Sequence, residues 1–167
     1  MKKYILVALA IIWALLIFYA SSKDYKESNK DSTIIIKNVV EKCANITNKI
    51  GITNIDISEA NTNNIVKSLN KPIRKLTHFV IYFILAVIIY YMFISFGLSK
   101  KSILLVFLIC FIYSITDEYH QSFSFGRTSS FKDCIIDTLG AICGCTLELI
   151  IHKIAKKCNL FHNRVVR

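Results

Sequence analysis

Four stretches of the chain, residues 4–20, 79–96, 103–115 and 134–151, are apolar almost without interruption, and the polar positions gather between them. Crossing a bilayer as a helix takes roughly 20 such residues. The second and fourth stretches approach that length, the first is slightly short, and the third reaches it only by recruiting flanking residues such as Thr116 and Tyr119. The pattern predicts four spans, at about 4–20, 78–96, 102–120 and 134–151. The fold expected is all-α: an integral membrane four-helix bundle forming a single domain over residues 1–167. Met1-Lys2-Lys3 ahead of the first run also suits a secretory signal, with Ala20-Ser21-Ser22 as a cleavage site. That run exceeds the roughly 7–15 residues of a signal core, so an uncleaved anchor is expected.

The segment from about 21 to 75 has a different rhythm. Within it Ile36, Val39, Val40, Cys43, Ile46 and Ile50 recur at steps of three and four, which describes one face of an amphipathic helix ending at Gly51. That helix is expected to lie on the membrane surface or on the bundle. A second helix is expected from Ser58, as N-cap, to Leu69, with Pro72 interrupting or restarting the helix that leads into the second span. The sequon Asn45-Ile46-Thr47 is too common by chance to carry weight. No internal repeat is visible.

Composition agrees with the membrane reading: 54% of residues are hydrophobic, with one Pro and five Gly. Orientation follows from basic residues. With four spans, Lys2, Lys3, Lys100, Lys101, Lys153, Lys156, Lys157, Arg164 and Arg167 share one side, which the positive-inside bias makes cytoplasmic. The chain is therefore expected in the plasma membrane, multi-pass, with both termini cytoplasmic and the 21–75 segment outside. That segment holds ten Lys/Arg against six Asp/Glu, an opposing signal weakened by its length. The net charge of +10 is explained by topology and by attraction to anionic lipid, and nothing resembles an aromatic-interleaved nucleic-acid motif. Membrane lipid is the expected partner and nucleic acid is not. Six cysteines, Cys43, Cys110, Cys134, Cys143, Cys145 and Cys158, lack metal or redox spacing, and those within apolar runs behave as small hydrophobes. No metal and no cofactor are expected.

Against this apolar background the stretch TDEYHQSFSFGRTSSFKDCIID, residues 116–137, holds seven acidic, basic or histidine side chains beside the third and fourth spans. Asp133, Asp137, Gly140, Gly144 and Glu148 follow at four, three, four and four residues, so they line one face of the fourth span. Gly140 and Gly144 form a G-x-x-x-G pair that admits a neighbouring helix closely and turns the aspartates towards it. In the third span Asp117, His120 and Gln121 share a face, with Glu118 turned about 100° away. In the second, Lys75, His78 and Tyr82 form another stripe. All three stripes fall at the same end of the bundle and are expected to converge, because charges beside hydrocarbon face the interior and pair. Arg127 and Lys75 are the expected counter-ions, with Arg127 paired to at least one of Asp117, Glu118 and Asp133. The plainer alternative is a solvated rim whose ion pairs only set loop geometry.

Taken in order, K-x-x-H-F-x-x-Y (Lys75, His78, Phe79, Tyr82), D-E-x-x-Q-x-F-x-x-G-R (Asp117, Glu118, Gln121, Phe123, Gly126, Arg127) and D-x-x-x-D-x-x-G-x-x-x-G (Asp133, Asp137, Gly140, Gly144) resemble the VanZ-like family. Phe18-Tyr19-Ala20-Ser21-Ser22 is similar to that family's aromatic-Ser-Ser exit from its first span. Two positions depart from the pattern: Ile81 stands where the family often has an acidic residue, and Asp137 where it often has Asn. The resemblance implies a small bacterial integral membrane protein of the cell envelope. The family's namesake is an accessory member of glycopeptide-resistance clusters, linked to reduced susceptibility to teicoplanin.

Three functions remain open at this point. The first is a non-enzymatic protein binding a lipid-linked or acylated ligand at the outer face, with Arg127 and Lys75 meeting its anionic groups. The second is an intramembrane enzyme on a lipid-anchored wall precursor, with Asp117, Glu118 or Asp137 as base and His78 or His120 as acid. The third is an ion or proton pathway. No nucleophile elbow, metal-helix motif or phosphate loop favours the enzyme.

Overall fold

The computed structural model describes residues 2–51, 59–98, 102–127 and 129–165. Ser58, Lys100, Lys101 and Arg167 lie outside the described residues. Five helices account for nearly all of the rest: α1 (Lys2–Ser22), α2 (Tyr25–Ile50), α3 (Glu59–Ser95), α4 (Ile103–Gln121) and α5 (Phe131–Val165). Helices α1, α3, α4 and α5 each contain a stretch long and apolar enough to cross a membrane. The chain is thus an all-α, multi-pass membrane protein. Between α1 and α3 stands the amphipathic α2.

The ends of the helices follow local chemistry. Gly51 closes α2 in the left-handed region at φ 74°, its amide donating to the carbonyls of Asn48 and Thr47, a conformation that suits glycine. Helix α4 does run on through Thr116 and Tyr119, to Gln121. Helix α5 continues past the apolar stretch to Val165, since its Lys-rich tail holds neither Gly nor Pro to stop it.

Pro72 does not interrupt α3, contrary to the sequence reading. The helix runs unbroken from Glu59 to Ser95 with Pro72 inside it. An interior proline costs about 3 kcal/mol in a lone helix, but the polar half of α3 is buttressed by α2. Asn70 Nδ2 donates to Asn29 Oδ1 and Thr33 Oγ1, each at 3.0 Å, and Asn70 Oδ1 accepts from Ser32 Oγ at 3.0 Å. Ile36 and Ala44 of α2 are buried. The α2 face also differs from expectation: Val39, Ile46 and Ile50 are exposed, because the polar Asn29, Ser32 and Thr33 select the side that meets α3.

At 37 residues, α3 is roughly 55 Å long, well beyond the roughly 30 Å of hydrocarbon. Its apolar half is the centre of the bundle, and its broadest interface is with α5. A side chain on Gly140 would collide with the Phe79 backbone carbonyl, and one on Gly144 would come within 2.7 Å of the Phe83 carbonyl. The two glycines therefore allow backbone-to-backbone approach. Ile17, Tyr82, Leu85, Ala86, Ile89, Val106, Cys110 and Ala141 fill the core beneath. Helix α1 is tied on by side chains that reach its neighbours' carbonyls or its own: Trp13 Nε1 donates to Ile81 O at 3.0 Å, and Tyr113 Oη donates to Ala14 O at 2.6 Å.

Candidate functional site

The polar stripes of α3, α4 and α5 meet at one end of the bundle, where α1 ends. Asp137, wholly buried, is at the centre. Ser114 Oγ of α4 donates to its Oδ2 at 2.9 Å, and His78 Nδ1 of α3 lies 3.3 Å from its Oδ1. That second contact has the separation of an ion pair but not the angle of a hydrogen bond, so both atoms remain without a hydrogen-bond partner. The α3–α5 approach at Gly140 is what brings His78 and Asp137 this close, since Phe79 follows His78 directly.

Asp117 and Glu118, although a quarter-turn apart, are both buried. Gln121 Nε2 donates to Asp117 Oδ2 at 3.2 Å and to Ser21 Oγ at 3.1 Å, which ties α4 to the end of α1. Glu118 looks the other way, its Oε2 accepting from the Ser130 amide at 2.8 Å just before α5 begins. The angular offset thus gives the two acids different helices to hold. Tyr82 is fully buried beside Tyr113, with its hydroxyl unpartnered.

The Phe-Tyr-Ala-Ser-Ser exit of α1 receives the α4–α5 loop. Ser21 O accepts from Ser124 Oγ at 3.0 Å and from Arg127 Nη1 at 3.4 Å. His120 stacks on Phe18 with ring centroids 3.9 Å apart, and its Nε2 lies 2.9 Å from Ser22 Oγ. His120 therefore anchors α1 and stands apart from His78 and Asp137. The loop is also laced to the start of α2: the Tyr25 amide donates to Phe125 O at 3.1 Å, and the Phe125 amide donates to Asp24 Oδ1 at 3.1 Å. Gly126, at φ 74° with Tyr25 Cβ close by, turns the backbone so that Arg127 enters the site.

Arg127 does not pair with Asp117, Glu118 or Asp133. Among the described residues the ion pairs are Lys23–Asp31 and His78–Asp137. The physical reason is the carbonyl of Ser21, which holds the guanidinium on the α1 side while Glu118 is engaged by Ser130. Burial, then the neighbouring Arg74, push the Arg127 pKa below its ordinary value, although a guanidinium stays charged at any working pH. Lys75 is exposed and makes no ion pair within the described residues. Asp133 is half-buried at the rim.

Two cavities open from this cluster. One, of about 310 Å³, is lined by Lys71, Arg74, Lys75 and Arg127, with Asp133 as its acid. The other, of about 460 Å³, runs between α1, α2 and α3 along Leu16, Ile17, Ile35 and Ile81. They share Arg74, His78, Gln121 and Arg127. Ile81, one of the two departures noted above, is thus part of an apolar wall.

Sequence reasoning overlooked Arg74, which lines both cavities and lies over the Tyr25 ring at 5.2 Å. The signal was present: Arg74 is four residues before His78 and so shares its face. Ser114 and Ser130 were missed too, and only tertiary contact reveals them.

Neither a curated protein nor a solved structure matches the chain. A family match does exist, and it spans residues 6–152, from within α1 to α5. It takes in every group described at this end of the bundle, and the chain therefore belongs to the VanZ/LLP1 family.

Proposed function

We propose that this chain is an envelope protein that binds an amphiphile, a lipid-linked or acylated ligand with an anionic head, at the outer membrane face. Through that binding it lowers susceptibility to teicoplanin-type lipoglycopeptides. One observation carries the reading: a cationic cleft and an apolar groove share Arg74, His78, Gln121 and Arg127. An anionic head suits the guanidinium pair, and an acyl chain suits the groove along Leu16, Ile17 and Ile81. The basic bias of the termini supports placing this end outside, and family membership supports an envelope role. A second reading, an intramembrane enzyme acting on a lipid-anchored precursor, is favoured by the 3.3 Å approach of His78 to Asp137, an acid–base pair beside the cleft.

Susceptibility measured in cells at matched membrane levels tests the proposal. The parent chain should protect against teicoplanin and protect less against its deacylated form. Arg127→Ala and Arg74→Ala should each lose the protection. Equal protection against both compounds, or full protection by both variants, would contradict amphiphile binding. Product formed from a labelled lipid-linked precursor by purified protein would favour the enzyme instead.

A further inference from the structure

We propose that His78, Glu118 and Asp137 form a site for a divalent transition-metal ion such as Zn²⁺ or Mn²⁺. The three residues come from α3, α4 and α5, and each brings a ligand atom within 4.8 Å of the others'. Glu118 is 6% exposed and Asp137 is 0% exposed. Each of the three also holds a buried polar atom with no hydrogen-bond partner: His78 Nδ1, Glu118 Oε1 and Asp137 Oδ1.

The division of labour within each carboxylate points to a ligand. Ser114 Oγ holds Asp137 by Oδ2 and leaves Oδ1 free; the Ser130 amide holds Glu118 by Oε2 and leaves Oε1 free. Asp117 repeats the pattern, with Gln121 on Oδ2 and Oδ1 unpartnered. One oxygen fixed by an outer partner and the other presented inwards is the arrangement by which a second shell orients metal ligands. Buried polar atoms are otherwise almost always hydrogen-bonded.

Charge points the same way. Three buried carboxylates, Asp117, Glu118 and Asp137, gather at this end of the bundle, and the Arg127 guanidinium makes no ion pair with any of them. A divalent cation closes that deficit, and uncompensated charge at membrane depth is costly. One imidazole nitrogen with carboxylate oxygens suits Zn²⁺ or Mn²⁺ better than Mg²⁺ or Ca²⁺, which prefer all-oxygen sets. Three protein ligands leave a coordination position open, and His78 lines both cavities, which provides an entry path. No sequence motif announces the site because its ligands come from three helices.

The test uses the full chain purified in detergent, stripped with a chelator and dialysed against Zn²⁺, Mn²⁺ or Co²⁺ before its metal content is measured. About one equivalent should be retained. The Co²⁺ form should show visible d–d bands without sulfur charge transfer, and X-ray absorption of the Zn²⁺ form should show nitrogen and oxygen neighbours and no sulfur. His78→Gln, Glu118→Gln and Asp137→Asn, checked for folding by size exclusion and far-UV circular dichroism, should each weaken binding about 100-fold or more. Asp133→Asn should retain the ion. Folded wild-type protein that retains no metal would overturn the proposal, because the cluster would then be balanced by shared protons. Sulfur in the coordination shell, or unchanged affinity in all three folded ligand variants, would also overturn it. The wild-type spectra keep the test decisive if a ligand variant fails to fold.

Discussion

Asp137 and Glu148 occupy the same inward face of α5, eleven positions apart, and both are buried, at 0% and 4% exposure. Their surroundings differ. Asp137 meets a histidine from α3 and a serine from α4, below a cleft rich in Arg and Lys. Glu148 lies beside Tyr90 and Tyr91 of α3, at the opposite end of the bundle. Between them Gly140 and Gly144 bring α5 against the α3 backbone. Sharing a helix face therefore guarantees burial but not a site. What distinguishes Asp137 is that three further elements, α1, α4 and the 122–130 loop, deliver polar groups to its end.

The variant with the largest expected effect removes the contact on which both ends depend. Gly140→Leu should cost more than about 3 kcal/mol, the upper end of ordinary overpacking, because the obstacle is the Phe79 backbone and not a movable side chain. Folded yield and thermal unfolding in detergent report it. Exposed Cys143→Leu is the control, because neighbouring Ala141 is itself fully buried. Equal loss at Gly140 and Cys143 would mean that the close approach has no special weight.

Asp137→Ala strands Ser114 and His78 and should cost about 3–5 kcal/mol, as breaking a buried pair does. Glu148→Ala should cost less by the same unfolding assay. The reverse order would break the distinction between the two ends.

Arg127→Lys should cost about 1 kcal/mol through loss of the bond to the Ser21 carbonyl. Protection against teicoplanin should fall further than stability does, since an ammonium cannot reproduce planar bidentate binding of an anion. Lys132, exposed at the start of α5, should change stability by less than about 0.5 kcal/mol when replaced by Ala. Its susceptibility should match the parent's. A larger change at Lys132 than at Arg127 would relocate the site to the loop surface.

Much of this was legible from periodicity. The four apolar helices, the end of α2 at Gly51 and the convergence of Lys75, His78, Tyr82, Asp117 and Asp137 at one end all follow from long apolar runs, from steps of three and four residues and from the expense of charge in lipid. What was not legible depends on partners distant in sequence. Pro72 reads as a break until Asn70 is seen to hold α2. Arg127 reads as an ion-pair partner until the Ser21 carbonyl competes for it. His120 reads as an acid until Phe18 and Ser22 claim its ring. In each case a hydrogen bond or stack across tens of residues decided between options that local spacing left equal.

The guanidinium-lined cleft and the adjoining groove are proposed to take one anionic, acylated ligand between them. The most direct measurement is equilibrium binding of teicoplanin, and separately of a fluorescent lipid-linked wall precursor, to the full chain in nanodiscs of zwitterionic lipid. Saturable binding of at least one of the two is expected, weakened about tenfold or more by Arg74→Ala with Arg127→Ala, as loss of charge-assisted hydrogen bonds implies, and unaltered by Glu148→Gln. Binding that is absent for both probes, or that survives the double replacement undiminished, would contradict it.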